Sequence, residues 1–457
     1  MSQSTLLQLA DLVSGTRFAD FDDATRHKAK LHLLDTIGVA MAGSASAETA
    51  LGLAAFAPVS GASRIWGTEH SSDARTAALL NGISAHALEL DDSGGCDHSG
   101  AVVVPAVLAS LPYLQRRVAG SELLQAILIG YEVARRVLEA SGGYETHNGL
   151  GWHSTGTCGP FGAAAAVGVL KRLDAPKLAM ALAIAGSMAG GTWAFIHNGS
   201  QTKKLHSGRS AEGGVIAADL AAVGFSGPDA LFEDVWGGFF STFMRVASEP
   251  AALLENWGDF WRLNRCSIKP HATCRGTHSS IDALDLVLRR ENLRPEDVAR
   301  VDIRISRFQH GMCGGTSLRS RAEAQMSIPY ALAARLEYGT VGLDQLEAPA
   351  WSSPKIARWI ERFDLRIDPN MADEDEPAIA VTTVDNSRHE VTVAFPLGAP
   401  QNPLSEDRII AKFEALCGRV MTRDRTEALR DLILAIENSS DVAPLLDLMR
   451  CAPLSKG

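Results

Sequence analysis

No two cysteines in this sequence are spaced as CxxC. The seven present, Cys96, Cys158, Cys266, Cys274, Cys313, Cys417 and Cys451, are odd in number and widely scattered. That pattern excludes a zinc ribbon or a cysteine-held iron–sulfur cluster and fits reduced thiols in a cytoplasm. The first residues, MSQSTLLQLADLVSG, lack a basic segment followed by a long apolar one. No later stretch approaches about 18 uninterrupted apolar residues, so neither export nor a membrane span is expected. Nor is there a Lys/Arg stripe to offset a formal net charge of -10. Such a chain repels a phosphate backbone, and nucleic acid is not an expected partner. An anionic substrate would gain no steering from the overall charge, so its attraction must come from Lys, Arg and His gathered in a pocket.

What the sequence does hold is a large core. Hydrophobic residues make up 46% and charged residues 21%, a globular balance, and 457 residues exceed one ordinary domain. To about residue 265, Ala, Leu and Gly recur at helical spacing, as in DATRHKAKLHLLDTIGVAMAG and SELLQAILIGYEVARRVLEA. Stretches such as PFGAAAAVGVLKRL and LAMALAIAGSMAGG are rich in small residues that let helix backbones approach closely. From residue 267 the texture changes. ARVDIRISRF and AIAVTTVDNSRHEVTVAF alternate with period 2, the latter broken by DNSR as in a hairpin, while THSSIDALDLVLRRE and AQMSIPYALAARLE read as helices. The expected fold class is mainly α: an all-helical domain, 1–266 and 398–457, with a smaller α+β domain, 267–397. The tail from SEDRIIAKFEALC onward is helical again.

Four polar segments interrupt the apolar pattern. HALELDDSGGCDHSGAVVVP sets His86, Glu89, Asp91, Asp92, Asp97 and His98 between two apolar runs. A carboxylate beside an imidazole fixes its tautomer and basicity, which makes His98 an acid/base candidate; capping of the next helix is the plainer alternative. YETHNGLGWHSTGTCGPFGAA offers Tyr144 and His153 before a Gly-rich helix entry whose free N–H groups can receive a carboxylate. AFIHNGSQTKKLHSGRSAEGG carries Lys203, Lys204, His206 and Arg209; a partly buried lysine can exchange a proton or steady an enolate oxygen, whereas a solvated helix end is as common. CSIKPHATCRGTHSSIDAL, at the inferred domain junction, brings Lys269 and Arg275, the latter suited to gripping a carboxylate in two-pronged fashion. Tyr330, in AQMSIPYALA, is ambiguous between core and site. The oxygen-rich first segment lacks the ligand alternation of an EF-hand, and no metal is expected.

Together these segments resemble the MmgE/PrpD family across nearly the whole chain: LLDTIGVAMAG, NGISAHALELDDS, HSGAVVVPAVLA, GYEVARRV, GWHSTGTCGPFGAA, QTKKLHSGRSAEGG, IKPHATCRGTH and AQMSIPYALA, in order. The resemblance implies a helical domain built from both chain ends, an inserted α+β lid, a site between them, no cofactor, and a homodimer. By matching motif it implies catalytic roles for His98, Lys203 and Tyr144, and substrate contacts for Asp91, Asp92, His153, Lys269, Arg275 and Tyr330. The family acts on compact polycarboxylates through a proton at a carbon next to a carboxylate. Lyase branches read DDT and HP where this chain has Ser93 and Ser99. Those departures count against the lyase branches, and the sequence as a whole resembles iminodisuccinate epimerase, an isomerase; the alternatives are a lyase, either 2-methylcitrate dehydratase or cis-aconitate decarboxylase, and a carboxylate-binding protein without catalysis.

Overall fold

Close approach of backbones organises the helical part. The structure, a computed structural model, describes residues 3–56, 60–244 and 248–451. Helices α1 (Asp23–Gly43), α2 (Ala74–Ala87), α3 (Gly100–Ser110), α4 (Gly120–Ala140), α5 (Ser154–Leu170) and α6 (Thr202–Ala222) pack around a core of Ala, Val, Leu and Ile. A methyl group added to Gly82 would lie 2.7 Å from Gly208 Cα, and one on Gly214 would lie 2.2 Å from Ala163 Cβ. Both distances are below carbon–carbon contact, so α2, α5 and α6 meet only because these positions carry no side chain. The polar starts of the helices obey local chemistry: Asp22 accepts from Thr25 N ahead of α1, and Asp73 from Arg75 N and Thr76 N ahead of α2.

The α+β part holds a four-stranded sheet in the order β2-β1-β3-β4, with β1 Val298–Ile305, β2 Phe363–Ile367, β3 Ala378–Thr383 and β4 Arg388–Thr392. Strands β1, β3 and β4 are those the period-2 pattern predicts, and β3 turns antiparallel into β4 through Asn386 at φ 69°. Strand β2, parallel to β1, is not among them. Phe363 and Leu365 of this strand pack against the sheet's apolar core, while Asp364 between them pairs with Arg300 of β1 and with Arg366 on the exposed side. Helices α7 (His278–Arg290) and α8 (Ile328–Tyr338) cover the sheet through Leu284, Val287, Ile328 and Leu332.

The tail returns to the helical part. In α9 (Glu406–Cys417), Phe413 packs onto Gly38 of α1, and Lys412 pairs with buried Asp35 at 2.6 Å. Residues 1–2, 57–59, 245–247 and 452–457 of the expected helical domain lie outside the described residues. Among the described residues no single helix is long and apolar enough to cross a membrane.

Candidate active site

The loop between α2 and α3 holds a dense group of acids and histidines, and its backbone is sharply bent. Glu89 (φ 54°) and Asp97 (φ 94°) both occupy left-handed backbone, uncommon for residues with side chains and costly unless the surroundings enforce it. Three contacts enforce it. Ser93 exchanges backbone hydrogen bonds with Ser267, at 3.2 and 2.8 Å. Lys412 Nζ donates to the carbonyls of Leu90 and Lys269, both at 2.8 Å. Gly94 (φ 95°) lies against the Arg265 carbonyl, where a methyl group would come within 2.8 Å.

The loop floors a cavity of about 660 Å³ that is also lined by Lys203 at the start of α6, by Cys274–Gly276, by Phe308, Gln309 and Met312 and by Asp373, Glu374 and Glu376. His98, Lys203, Tyr144 and Arg275, four residues the sequence singles out, all line it. At its centre the Glu89 carboxylate receives Lys203 and Lys204 directly. Lys269 Nζ lies 3.7 Å from that carboxylate and donates to the Glu89 carbonyl at 2.8 Å. All four side chains are buried. Burial alone would raise the Glu89 pKa, but the three ammonium groups hold it well below the usual range. Burial likewise disfavours the charged form of Lys203, yet Glu89 outweighs it and raises the lysine above its ordinary value. For Lys204 burial prevails and the shift is downward.

His98 is held as a cation. Its Nδ1 lies 2.9 Å from Asp91 Oδ2, and its Nε2 is 3.2 Å from Asp97 Oδ2 with no aligned hydrogen-bond partner. Burial would lower its pKa; the Asp97 and Asp91 carboxylates outweigh burial and push it up to about 10. His153 goes the other way, drawn down by burial to about 3, with Nδ1 2.9 Å from His206 Nδ1. Burial drives the Tyr144 phenol well above its ordinary value.

The remaining expected substrate contacts need correcting. Asp91 lies behind the cavity wall, between His86 and His98. Asp92 lies beneath it, accepting from Tyr131 Oη at 2.7 Å and Gly100 N at 3.0 Å. Lys269 and His153 are buried behind the lining residues. These four support groups that face the cavity. Tyr330 does not reach it: Ser327 caps α8 in a register that turns the ring into a hydrophobic cluster, where its hydroxyl donates to the Gln345 carbonyl. Nothing in the local pattern marks Glu89 as the centre of the site, because the three lysines it gathers stand 114, 115 and 180 residues away. Glu376, paired with Arg275 at 2.6 Å, escapes the sequence for the same reason.

Among the described residues two groups, His86/Asp91/His98 and Asp97/His98/His153, each have their donor atoms within 4.8 Å of one another, close enough to hold a metal ion. The charges of His98 and nearby Lys203 oppose a cation there. Activity is therefore expected to survive exhaustive chelation. A loss reversed by one specific divalent ion would contradict this.

Comparison with known proteins assigns nearly the whole chain to one family. The chain belongs to the MmgE/PrpD family: residues 7–249 match its N-terminal domain and residues 271–438 its C-terminal domain. A cis-aconitate decarboxylase-like protein of Aspergillus oryzae is 29% identical over 97% of this chain and 96% of its own length. Cis-aconitate decarboxylase of Aspergillus terreus is 28% identical over 94% and 93%, and that of Mus musculus 26% over 98% and 94%. These relatives overturn the expectation of an iminodisuccinate epimerase, and of an isomerase altogether. In the sequence, Ser93 and Ser99 count against a lyase. Yet Ser99 is buried and accepts from Cys96 N at 2.9 Å, and Ser93, itself on the cavity lining, pairs through its backbone with Ser267; both replacements leave His98 and Lys203 facing the cavity.

Proposed function

We propose that this protein is a lyase that releases carbon dioxide from a compact unsaturated polycarboxylate, with cis-aconitate the first substrate to try. The observation that carries the reading is that three groups lining the cavity, His98, Lys203 and Tyr144, are held as proton donors; Cys274, also on the lining, is the exception, lowered to about 7 by its hydrogen bond with Cys313. His98 is held up to about 10, Lys203 is raised by Glu89, and the Tyr144 phenol is raised by burial, so all three keep their protons at neutral pH. Epimerisation and dehydration begin by taking a proton from carbon, for which these groups are in the wrong form. Glu89 and Asp97 are ionised but held well below the usual carboxylate range by neighbouring cations, which makes them weak bases.

Decarboxylation of a β,γ-unsaturated acid has the opposite requirement. The bond to the departing carboxylate breaks, and its electron pair forms a new C=C to the adjacent carbon. The electrons of the former double bond then take a proton at its far carbon. One proton is consumed and none is removed from carbon, a task suited to His98 or Lys203, with Arg275 gripping a carboxylate that stays. The names of the relatives support the same class. The division into a helical body, 1–266 and 398–457, and an α+β lid, 267–397, belongs to this proposal. It is supported by the return of α9 onto α1.

The test is NMR in heavy water with cis-aconitate, 2-methylcitrate and iminodisuccinate. One equivalent of carbon dioxide and one carbon-bound deuterium per cis-aconitate consumed are expected. Loss of water from 2-methylcitrate, with cis-aconitate left intact, would sink the reading. Turnover is also expected to stay level across the neutral range and to fall as pH rises through about 10, where His98 loses its proton. A fall centred near the ordinary imidazole value of 6.5 would remove His98 as the donor. The raised value has a stability counterpart: its contribution is complete below about 6.5 and is lost as pH rises through about 10.

A further inference from the structure

Arg275 is the cavity's best-shaped carboxylate clamp, and it is already holding a carboxylate. Its Nη2 donates to Glu376 Oε1 at 2.6 Å, while Ser279 Oγ at the start of α7 donates to Glu376 Oε2 at 2.6 Å. Both oxygens of one carboxylate are thus bound by one guanidinium and one hydroxyl, a two-point grip. Arg275 and Glu376 line the cavity. Ser279 is fully buried beneath the acid. Glu376 comes from the segment between β2 and β3, which also turns Asp373 and Glu374 toward the cavity. Three acids facing a site for a polyanion repel the ligand unless they yield to it.

We propose that Arg275 and Ser279 form a substrate-carboxylate subsite whose occupant in the free protein is the Glu376 side chain, displaced when a polycarboxylate binds. The inference rests on the polycarboxylate reading above. Its logic is internal competition: a ligand must win the subsite from a tethered carboxylate, so its apparent affinity falls by the fraction of time the subsite stands open. A ligand with several carboxylates, anchored elsewhere by Lys203, can do this. A monocarboxylate with nothing to anchor it cannot, so Glu376 acts as a filter for multiply charged substrates.

The probe is tricarballylate, a saturated tricarboxylate that has no double bond to shift, with binding read by titration calorimetry. Removing the competitor in Glu376→Ala should lower its Kd by about tenfold. The double variant Glu376→Ala/Ser279→Ala should give back most of that gain. If the alanine variant fails to fold, Glu376→Gln keeps the acceptor for Ser279 without the charge and should show a smaller gain. Equal or weaker binding in the folded Glu376 variant would overturn the proposal in favour of a purely structural ion pair. Absence of tricarballylate binding in every form would overturn both this proposal and the polycarboxylate reading. Tighter binding without carbon dioxide release from cis-aconitate would uphold the subsite and remove the decarboxylase.

Discussion

Replacing His98 or Lys203 with alanine should reduce kcat by roughly 10²–10⁴-fold, the usual loss when a positioned proton-transfer group is removed. Both side chains line the cavity and both are held in the protonated form by buried carboxylates, His98 by Asp97 and Asp91 and Lys203 by Glu89. The two losses should not multiply in the double variant if both groups serve one proton delivery. Arg275→Ala should behave differently. A guanidinium stays charged and grips the ground state, so its removal should appear chiefly as a raised KM with kcat much less changed. Steady-state kinetics on variants whose circular dichroism matches the parent distinguishes these outcomes. Near-parental kcat in both His98→Ala and Lys203→Ala would show that the chemistry lies elsewhere.

Glu89→Gln should produce the largest loss of stability of any single change in the site. One buried carboxylate stands among Lys203, Lys204 and Lys269, and all four are largely buried, with Glu89 and Lys203 on the cavity lining. Stripping the charge from one partner of a buried pair typically costs about 3–5 kcal/mol, because the remaining charges lose compensation without regaining solvent. Here three ammonium groups lose it together. Urea unfolding near neutral pH should register a loss of that order. The loss should shrink as pH rises toward about 10, where lysines of the unfolded chain also shed their protons. A midpoint within the scatter of the parent protein would mean that the lysines are compensated by other groups. Turnover in the folded fraction should fall as well, since Lys203 would lose the carboxylate that holds its proton.

Several of the site's residues are legible in the amino-acid pattern. His98 stands in a charged, glycine-broken insert between apolar helices, and Arg275 in a basic segment at a change of texture; both open into the cavity. Tyr330 is not legible, since a tyrosine on an amphipathic helix can face core or cleft depending on a rotation that only the Ser327 cap and the neighbouring cluster decide. The reaction is misread when Ser93 and Ser99 are weighed as deciding it, because Ser99 supports the loop from within, Ser93 pins its backbone at the cavity edge, and His98 and Lys203 face the cavity regardless.

By itself, then, the sequence determined what local pattern can encode: helices closely packed through Ala and Gly, strands β1, β3 and β4, capped helix starts, and the segments where charge breaks an apolar run. The tertiary structure alone decided which charges meet. Glu89 and its lysines lie more than a hundred residues apart, and Lys412 reaches the loop from the far end of the chain. Whether a histidine is an acid or a base follows from that meeting. His98 and His153 are the same side chain, both buried, and the two carboxylates beside one imidazole push it up to about 10 while burial draws the other down to about 3. Desolvation and Coulomb attraction depend on distance through space, which the order of residues does not state.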